Sequence, residues 1–380
     1  VDWPPLYPVV LAAVFPFGSD PNEVIRWLHA LIFGITIAAA ALTFIRGFTL
    51  RVSYWIFCLA IVFSFPLLFV HAMIYAEPLF ILLVLASLAA LIRYVEQPSW
   101  QAFALLIVLS SLVMLQRLAG VALVPTVIFA ILMWSRERFW RRAGMCATYT
   151  VLSLMPLAIW TLRNMSVQGT LAGHRTLSPV SPIPLIVRLA DTMSAWIVPR
   201  PLPLLVRGAA WAVVVMIVIG LTLRGRKEKP SATPESGLIW KVMFLWVVSY
   251  STFMIGVSTV TTTRAEPLDL RLSSPLYIPF IYLVVRSVER LFQMLEGKLH
   301  HVRLGSPATV VSLALWLLYP VAMTAHQIDR WREHGICNYR TDRWLHSATL
   351  QWVQDHPLSH PVFSNHPEAF YVRQGKKFAL

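Results

Sequence analysis

The amino-acid sequence predicts an all-α polytopic membrane protein, and two properties of the chain support this class. Hydrophobic residues make up 57% of the 380 residues, charged residues only 13%, and the mean hydropathy is +0.65. A soluble domain of this composition would expose a large apolar surface to water. The apolar residues also occur in runs near the roughly 20 residues that cross a bilayer core, and the charged residues stand at the ends of these runs.

The apolar runs predict about ten transmembrane helices in a domain that covers residues 1–325. In chain order the predicted helices are 24–45, 53–73, 77–94, 100–115, 119–134, 144–162, 204–223, 239–258, 273–290 and 307–325. Before them, segment 2–17 is rich in aromatic residues and proline, which is typical of a chain at the membrane interface. The fourth and fifth helices are shorter than the roughly 20 residues needed to cross. The turn that joins them should therefore lie below the outer surface.

Positive charge decides the predicted orientation. The chain has 32 Lys and Arg against 18 Asp and Glu, and the basic residues gather in alternate loops. Cytoplasmic loops are enriched in Lys and Arg, so the loops on this side are predicted to be cytoplasmic. The same distribution argues against a nucleic-acid partner, because no basic stretch is interleaved with exposed aromatic residues. The opposite, outer side receives residues 1–20, 71–77, 116–120, 163–203, 259–272 and the tail.

The tail, residues 326–380, differs from the rest in its polar composition. Segment 346–353 predicts a helix, and 361–364 and 370–372 predict short strands. These elements suggest a small α/β segment on the outer face that is incomplete at Leu380. Because the chain begins at Val1 without a signal peptide, we expect it to be a fragment of a longer protein.

Two acidic residues are predicted at the outer membrane surface. Asp2 precedes a proline-rich stretch, and Glu77 stands at the predicted start of a helix. Carboxylates at this height could serve as a catalytic base or as a metal or substrate ligand. For Glu77 the alternative is a carboxylate at the positive end of a helix, with Pro78 at the first helical position.

Arg117 is the sharpest candidate for ligand binding. It lies in the turn between the two short helices, which places a guanidinium group near the depth of the lipid headgroups. A fixed cation at that depth favours an anion, and a lipid-linked phosphate is a natural one. The alternative is an arginine that only extends its charge to the interface.

Further basic residues flank the predicted outer loops. Arg163 and His174 belong to the long outer loop, and Arg271 begins a predicted span. Each could be a flanking charge alone. Together with Arg117 they would place several cations on the outer face, against the usual charge bias, and this favours phosphate binding.

Motifs for other chemistry are absent from the sequence. No P-loop, dinucleotide-binding glycine motif, HExxH, CxxC or GxSxG occurs. ATP-driven and zinc-protease functions therefore have no support.

The candidate residues fall in an order that resembles the GT-C superfamily of membrane glycosyltransferases. The segments concerned are DWPPLYP at 2–8, AEPLF at 76–80, QRLAG at 116–120, WTLRN at 160–164, RLSSP at 271–275 and VFSNHPE at 362–368. The resemblance is greatest to the bacterial branch related to protein O-mannosyltransferases and the lipid A aminoarabinose transferase, and it spans nearly the whole chain.

Membership in this superfamily implies an inverting transfer of a sugar at the outer face of the bacterial cytoplasmic (inner) membrane. The implied donor is a polyprenyl-phosphate sugar, and the acceptor is a lipid, a glycan or a protein. The resemblance places the catalytic aspartate upstream of Val1, so we expect the chain alone to be inactive. By this resemblance, Asp2 would contact a metal or the substrate, and Glu77 matches an acidic residue that begins a helix. Arg117 and Arg271 match positions that suit the phosphate of the donor. No cofactor is assigned, and a divalent metal stays an open alternative.

Two other classes remain as alternatives. A lipid or solute transporter or flippase would show interrupted helices, paired repeats and ionisable groups at the membrane midplane. A membrane scaffold without catalytic activity would need none of the outer arginines. The charges at the ends of the spans and the absence of a visible repeat favour the transferase.

Overall fold

The computed structural model describes residues 4–18, 21–171, 176–177, 181–224, 234–262, 269–298, 305–335 and 346–356, and these are almost entirely helical. The helices are α1 Leu6–Val14, α2 Pro21–Phe44, α3 Arg51–Val62, α4 Phe65–Ala72, α5 Glu77–Glu96, α6 Trp100–Gln116, α7 Leu123–Trp134, α8 Phe139–Gln168, α9 Pro182–Ser194, α10 Leu204–Arg224, α11 Pro234–Val260, α12 Leu270–Ser273, α13 Tyr277–Lys298, α14 Gly305–His334 and α15 Ala348–Asp355. The strands β1 Thr176–Leu177 and β2 Thr261–Thr262 form a short antiparallel ladder.

Seven helical segments in the described part of the chain are long and apolar enough to cross a membrane. They are Glu23–Phe44, Arg51–Ala72, Glu77–Glu96, Phe139–Val167, Leu204–Thr222, Gly237–Val260 and Pro307–His334. This is the architecture of a multi-pass helical membrane protein.

All ten predicted spans are helical, although three fall outside this set of seven. Trp100–Gln116 and Leu118–Trp134 are short, as predicted. The third, α13, is 22 residues long but carries Arg286, Glu289 and Arg290. Most of its residues from 277 to 290 are buried, so these charges are surrounded by protein.

Two helices and one interruption were not predicted from the sequence. Helix α1 forms in the segment expected at the interface, and α9 forms inside the long loop 163–203. The second predicted span is broken between α3 and α4, where the Ser64 hydroxyl accepts from the Leu67 N–H at 3.2 Å. Pro66 follows at the start of α4, where a missing N–H costs nothing.

Other helices satisfy the carbonyl groups that this break leaves open. The Thr324 hydroxyl donates to the Phe63 carbonyl at 2.8 Å, and the Tyr277 hydroxyl donates to the Ala60 carbonyl at 3.1 Å. Without such partners, each carbonyl would remain an unsatisfied polar group inside the bundle. The interruption is therefore held by side chains of α13 and α14.

Helix α5 lies at the centre of the bundle. It packs against α2, α4, α6, α7 and α11, and most of its residues are buried. Because both of its ends are thereby fixed, the residues at its first turn have a defined position at one end of the bundle.

The predicted basic loops meet at the end of the bundle opposite the first turn of α5, which is called the inner end. Both oxygens of the buried Glu289 are used: Oε1 accepts from the backbone N–H groups of Thr49 at 3.0 Å and Leu50 at 2.5 Å, and Oε2 accepts from Arg286 Nη1 at 2.5 Å. The Arg290 guanidinium lies 5.1 Å above the Trp240 ring. The loops predicted to share one side therefore contact one another.

The tail is only partly described. Helix α15 confirms the predicted helix near 346–353 with its start two residues later, whereas the predicted strands at 361–364 and 370–372 lie outside the described residues. Helix α14 continues through the predicted boundary at residue 325 to His334.

Candidate functional site

The candidate site lies where α5 begins, at the end of the bundle opposite Glu289, called the outer end. Glu77 is the first residue of α5, followed by Pro78, and its side chain is 1% exposed. A carboxylate in the first turn is favoured by the partial positive charge of the helix N-terminus. Glu77 therefore lies at the positive end of a helix, as the alternative interpretation expects, although Pro78 is the second helical residue and not the first.

Arg117 reaches Glu77 from the turn after α6. It is extended, with φ of −153° and ψ of 141°, and is followed by a 3-10 turn from Leu118 to Ala122. Its Nη1 donates to Glu77 Oε1. Gln116, the last residue of α6, donates through Nε2 to the Ala76 carbonyl at 2.8 Å. The end of α6 is therefore bonded to the start of α5 twice, through neighbouring residues.

Arg271 approaches the same carboxylate from α12. Its Nε donates to Glu77 Oε1 at 2.5 Å, and its guanidinium carbon lies 4.2 Å from the centre of the Tyr75 ring. Asp269 fixes α12 by accepting from the backbone N–H groups of Arg271 and Leu272 at 3.0 and 3.1 Å. Two guanidinium groups from distant parts of the chain thus share one carboxylate oxygen.

The group formed by Glu77, Arg117 and Arg271, called the Arg–Glu–Arg cluster, has an excess of positive charge. The arginine side chains are 17% and 20% exposed, whereas Glu77 is almost completely enclosed. The cations are therefore the accessible part of the cluster. Such an arrangement is suited to an anion, since guanidinium groups bind phosphate through charge-assisted hydrogen bonds.

Two buried acceptors next to the cluster have no hydrogen-bond partner among the described residues. They are Glu77 Oε2 and Gln116 Oε1. The amide of Gln116 cannot simply be reversed, because its Nε2 must face the Ala76 carbonyl. Both atoms accept only, so they require a donor such as water or a hydroxyl group.

A chain of hydrogen bonds joins Tyr7, His29 and His71 beside α5. The Tyr7 hydroxyl lies 2.9 Å from His29 Nε2, His29 Nδ1 lies 3.1 Å from the His71 carbonyl, and His71 Nδ1 lies 2.7 Å from the Leu67 carbonyl. A carbonyl only accepts, so both Nδ1 atoms carry the proton and His29 Nε2 accepts from Tyr7.

Tyr7 itself lies outside the seven spanning helices. Burial raises the pKa of its hydroxyl above the usual range, and the negative charge of Glu77 raises it further. Tyr7 is therefore protonated near neutral pH and donates to His29.

Among the described residues, Arg163 is the remaining predicted site residue, and it is not brought into the cluster. Arg163 is exposed at the end of α8, where it lies 4.9 Å from the centre of the Trp160 ring. The hydrogen bond from Arg163 Nη1 to Asn164 Oδ1 is long at 3.5 Å. Asp2 and His174 lie outside the described residues.

Several residues of the site were not predicted as such. Tyr7, Tyr75 and Gln116 occur inside segments quoted for other residues, but nothing in the sequence shows that they meet. His29 carries a weaker signal, as a lone histidine within an apolar run. Only the packing of α1, α2, α4 and α6 around α5 brings them together.

A metal ion has no evident place in the described part of the chain. No group of three or more His, Cys, Asp or Glu side chains there is arranged to hold one.

No family model, curated protein or solved structure matches the chain.

Proposed function

We propose that the chain belongs to a glycosyltransferase that moves a sugar from a polyprenyl-phosphate donor to an acceptor at the outer face of the cytoplasmic membrane. The observation that carries the proposal is the convergence of Arg117 and Arg271 on Glu77. The cluster lies at the outer end of the bundle, and its three side chains carry two positive charges and one negative charge.

The two arginines would act on the phosphate of the donor. When the bond between the sugar and the phosphate breaks, negative charge grows on the departing phosphate oxygens. Guanidinium groups fixed at that place stabilise this charge without first having to reorient. Glu77 then has a positioning role, because it already accepts from Arg117 and Arg271 through one oxygen.

The sugar would be oriented through the two buried acceptors, which have almost no exposed surface and would be reached by a bridging water. Sugar hydroxyl groups donate hydrogen bonds, and Glu77 Oε2 and Gln116 Oε1 need donors. The arginines suit a phosphate, and the acceptors suit hydroxyl groups. A glycosyl phosphate carries both kinds of group. No described residue is assigned the proton from the acceptor.

The proposal is tested by binding and transfer with the full chain in lipid nanodiscs. Polyprenyl monophosphate should bind, and Arg117→Gln should weaken its affinity about tenfold or more, as expected when a charge-assisted hydrogen bond is lost. Arg188→Gln, an exposed arginine of α9, is the matched control and should leave the affinity unchanged.

Transfer is measured separately with radiolabelled polyprenyl-phosphate sugars and a membrane lipid extract as acceptor. Labelled product formed by the full-length protein supports the enzyme. If the chain binds no polyprenyl monophosphate and the full-length protein gives no labelled product, the proposal is rejected.

The interrupted segment α3–α4 is the one observation that favours a transporter or flippase. Broken helices in transporters commonly present free backbone groups to a substrate or an ion. Here Tyr277 and Thr324 occupy the carbonyl groups near the break, which leaves less for a substrate. Movement of fluorescent polyprenyl phosphate across proteoliposomes without transfer would favour this alternative.

A further inference from the structure

A second feature of the outer end is a cleft between α4 and α14, called the aromatic cleft. The space between its walls is about 380 Å³, a figure that includes the open surroundings, and the enclosed part is about 30 Å³. Its walls are mainly aromatic and apolar, and one cation lies among them. The residues that matter for the argument are Phe65, Trp196, Arg200, Tyr277, Tyr319 and Met323.

The walls of the cleft are held in place by hydrogen bonds and ring contacts. The Tyr319 hydroxyl donates to the Ala195 carbonyl at 2.7 Å. The Trp196 ring packs edge-on against Tyr277, with 5.4 Å between the ring centres. The turn that carries Trp196 and Arg200 is therefore fixed on α13 and α14.

Polar groups around the cleft are donors. Trp196 is 4% exposed, and its indole N–H has no acceptor among the described residues. Arg200 is exposed, whereas Arg207 is 9% exposed. Arg207 Nη2 lies 2.6 Å from Asp191, and its Nη1 is buried without a partner in the described part of the chain.

The charge around the cleft is positive. Near the turn between α9 and α10 the ionisable residues are Asp191, Arg200 and Arg207, which are two cations and one anion. Tyr319 in the wall lies within the electrostatic field of both Arg200 and Arg207. A ligand that is negatively charged at its polar end would complement this side of the cleft.

Helix α9, which leads into the turn that lines the cleft, has an apolar and exposed face. Ile183, Ile186 and Val187 of α9 are 67%, 45% and 49% exposed and share one face of the helix, because they are three and four residues apart. At the start of α10, Leu205 is 86% exposed. A helix of this kind lies in the membrane interface, with its apolar stripe in the acyl-chain region.

We propose that the aromatic cleft binds an anionic phospholipid of the surrounding leaflet. The phosphate interacts with Arg200 in the field of Arg207, and an acyl chain lies along Phe65, Trp196 and Met323. Basic pockets between transmembrane helices bind lipid headgroups by the same combination of charge and apolar contact. This site does not depend on the proposed sugar transfer.

The cleft is separate from the Arg–Glu–Arg cluster. Leu270 of α12 lines the cleft, whereas the next residue, Arg271, binds Glu77. Neighbouring side chains on a helix point in different directions, so α12 stands between the two places. A polyprenyl phosphate at the cluster and a phospholipid in the cleft therefore use different arginines.

The test measures how much phosphatidylglycerol stays with the full chain after purification in a mild detergent, by mass spectrometry of the extracted lipid. Wild type should retain phosphatidylglycerol in preference to phosphatidylcholine. Arg200→Gln should retain about tenfold less, as expected for the loss of a charge-assisted hydrogen bond. Arg188→Gln makes the same charge change on α9 away from the cleft and should retain the wild-type amount.

A second variant, Met323→Trp, fills the cleft without changing its charge and should also lose the lipid. It decides the question if Arg200→Gln does not fold, which thermal unfolding without added lipid reveals. Wild-type retention by the folded variants, or an equal loss in Arg188→Gln, would overturn the proposal. Displacement of the phospholipid by polyprenyl monophosphate in both wild type and Arg117→Gln would assign the cleft to the polyprenyl lipid instead.

Discussion

Arg271 and Glu77 are 194 positions apart in the chain, yet Arg271 Nε lies 2.5 Å from Glu77 Oε1. The contact joins α12 to the start of α5, and Arg117 donates to the same oxygen. One buried carboxylate therefore fixes the relative positions of two cations. This property suits a site in which both must face a single phosphate group.

The shared oxygen predicts strong energetic coupling between Glu77 and Arg271. Glu77→Gln leaves two guanidinium groups without their anion, and Arg271→Gln leaves Glu77 with Arg117 alone. We expect a coupling energy of about 1–3 kcal/mol from a double-mutant cycle, measured by thermal unfolding in one detergent. Glu137 and Arg141 form an exposed pair, and the same cycle there should give less than about 1 kcal/mol. Additive effects at Glu77 and Arg271 would contradict the interaction.

Gly120 is expected to control the position of Arg117. A Cβ atom at Gly120 would lie 2.8 Å from the backbone of Val113, so the turn must move to accommodate it. Gly120→Ala should lower the free energy of unfolding by about 1–3 kcal/mol and weaken the binding of polyprenyl monophosphate. Isothermal titration in nanodiscs measures the second effect.

Gly144 is the matched control for this change, because nothing lies within 4 Å of a Cβ atom at that position. Gly144→Ala lies inside α8 and should leave binding unchanged while stabilising the helix by up to about 1 kcal/mol. Normal affinity in Gly120→Ala would show that the turn does not position Arg117.

Tyr7 should stabilise the outer end through its hydrogen bond to His29. Tyr7→Phe leaves His29 Nε2 as a buried acceptor without its donor, which should cost about 1–3 kcal/mol. Tyr54→Phe removes a longer bond, 3.3 Å from the Ala41 carbonyl, and should cost less. Chemical denaturation in detergent measures both.

The effect of Tyr7 should also depend on pH in one direction. Its pKa is raised in the folded protein, so its contribution is complete below the usual tyrosine pKa of about 10 and declines above it. The difference between wild type and Tyr7→Phe should therefore stay constant from pH 6 to pH 9. A difference that decreases within that range would show that the pKa of Tyr7 is not raised in the folded protein.

The sequence located the membrane spans and the charged residues, but it did not show that Arg117 and Arg271 meet at Glu77. Runs of apolar residues indicate helices because each helix must meet lipid or core over its own length, so the spans could be located one at a time. The association of Glu77 with Arg117 and Arg271 depends on how α5, α6 and α12 pack, and no local pattern specifies that. The break at Phe63–Ser64 was missed for the same reason, since Thr324 and Tyr277 hold it from distant helices.

At the inner end, Glu289 should be among the residues most important for stability. It is fully buried and accepts hydrogen bonds from Thr49, Leu50 and Arg286, thereby joining α13 to the segment before α3. Glu289→Gln removes the negative charge of the ion pair. It also turns an amide N–H₂ toward N–H donors, with which it cannot form a hydrogen bond. Removing one partner of a buried ion pair typically costs about 3–5 kcal/mol.

Thermal unfolding of the purified chain measures this cost, and Glu137→Gln provides the comparison. Glu137 pairs with Arg141, whose side chain is 70% exposed, so its replacement should cost no more than about 1 kcal/mol. Affinity for polyprenyl monophosphate should stay normal in folded Glu289→Gln, because the cluster lies at the opposite end of the bundle. If the folded Glu289→Gln variant lost affinity, the two ends of the bundle would be coupled through α5 and α13. If its stability equalled that of Glu137→Gln, Glu289 would not hold the helices together.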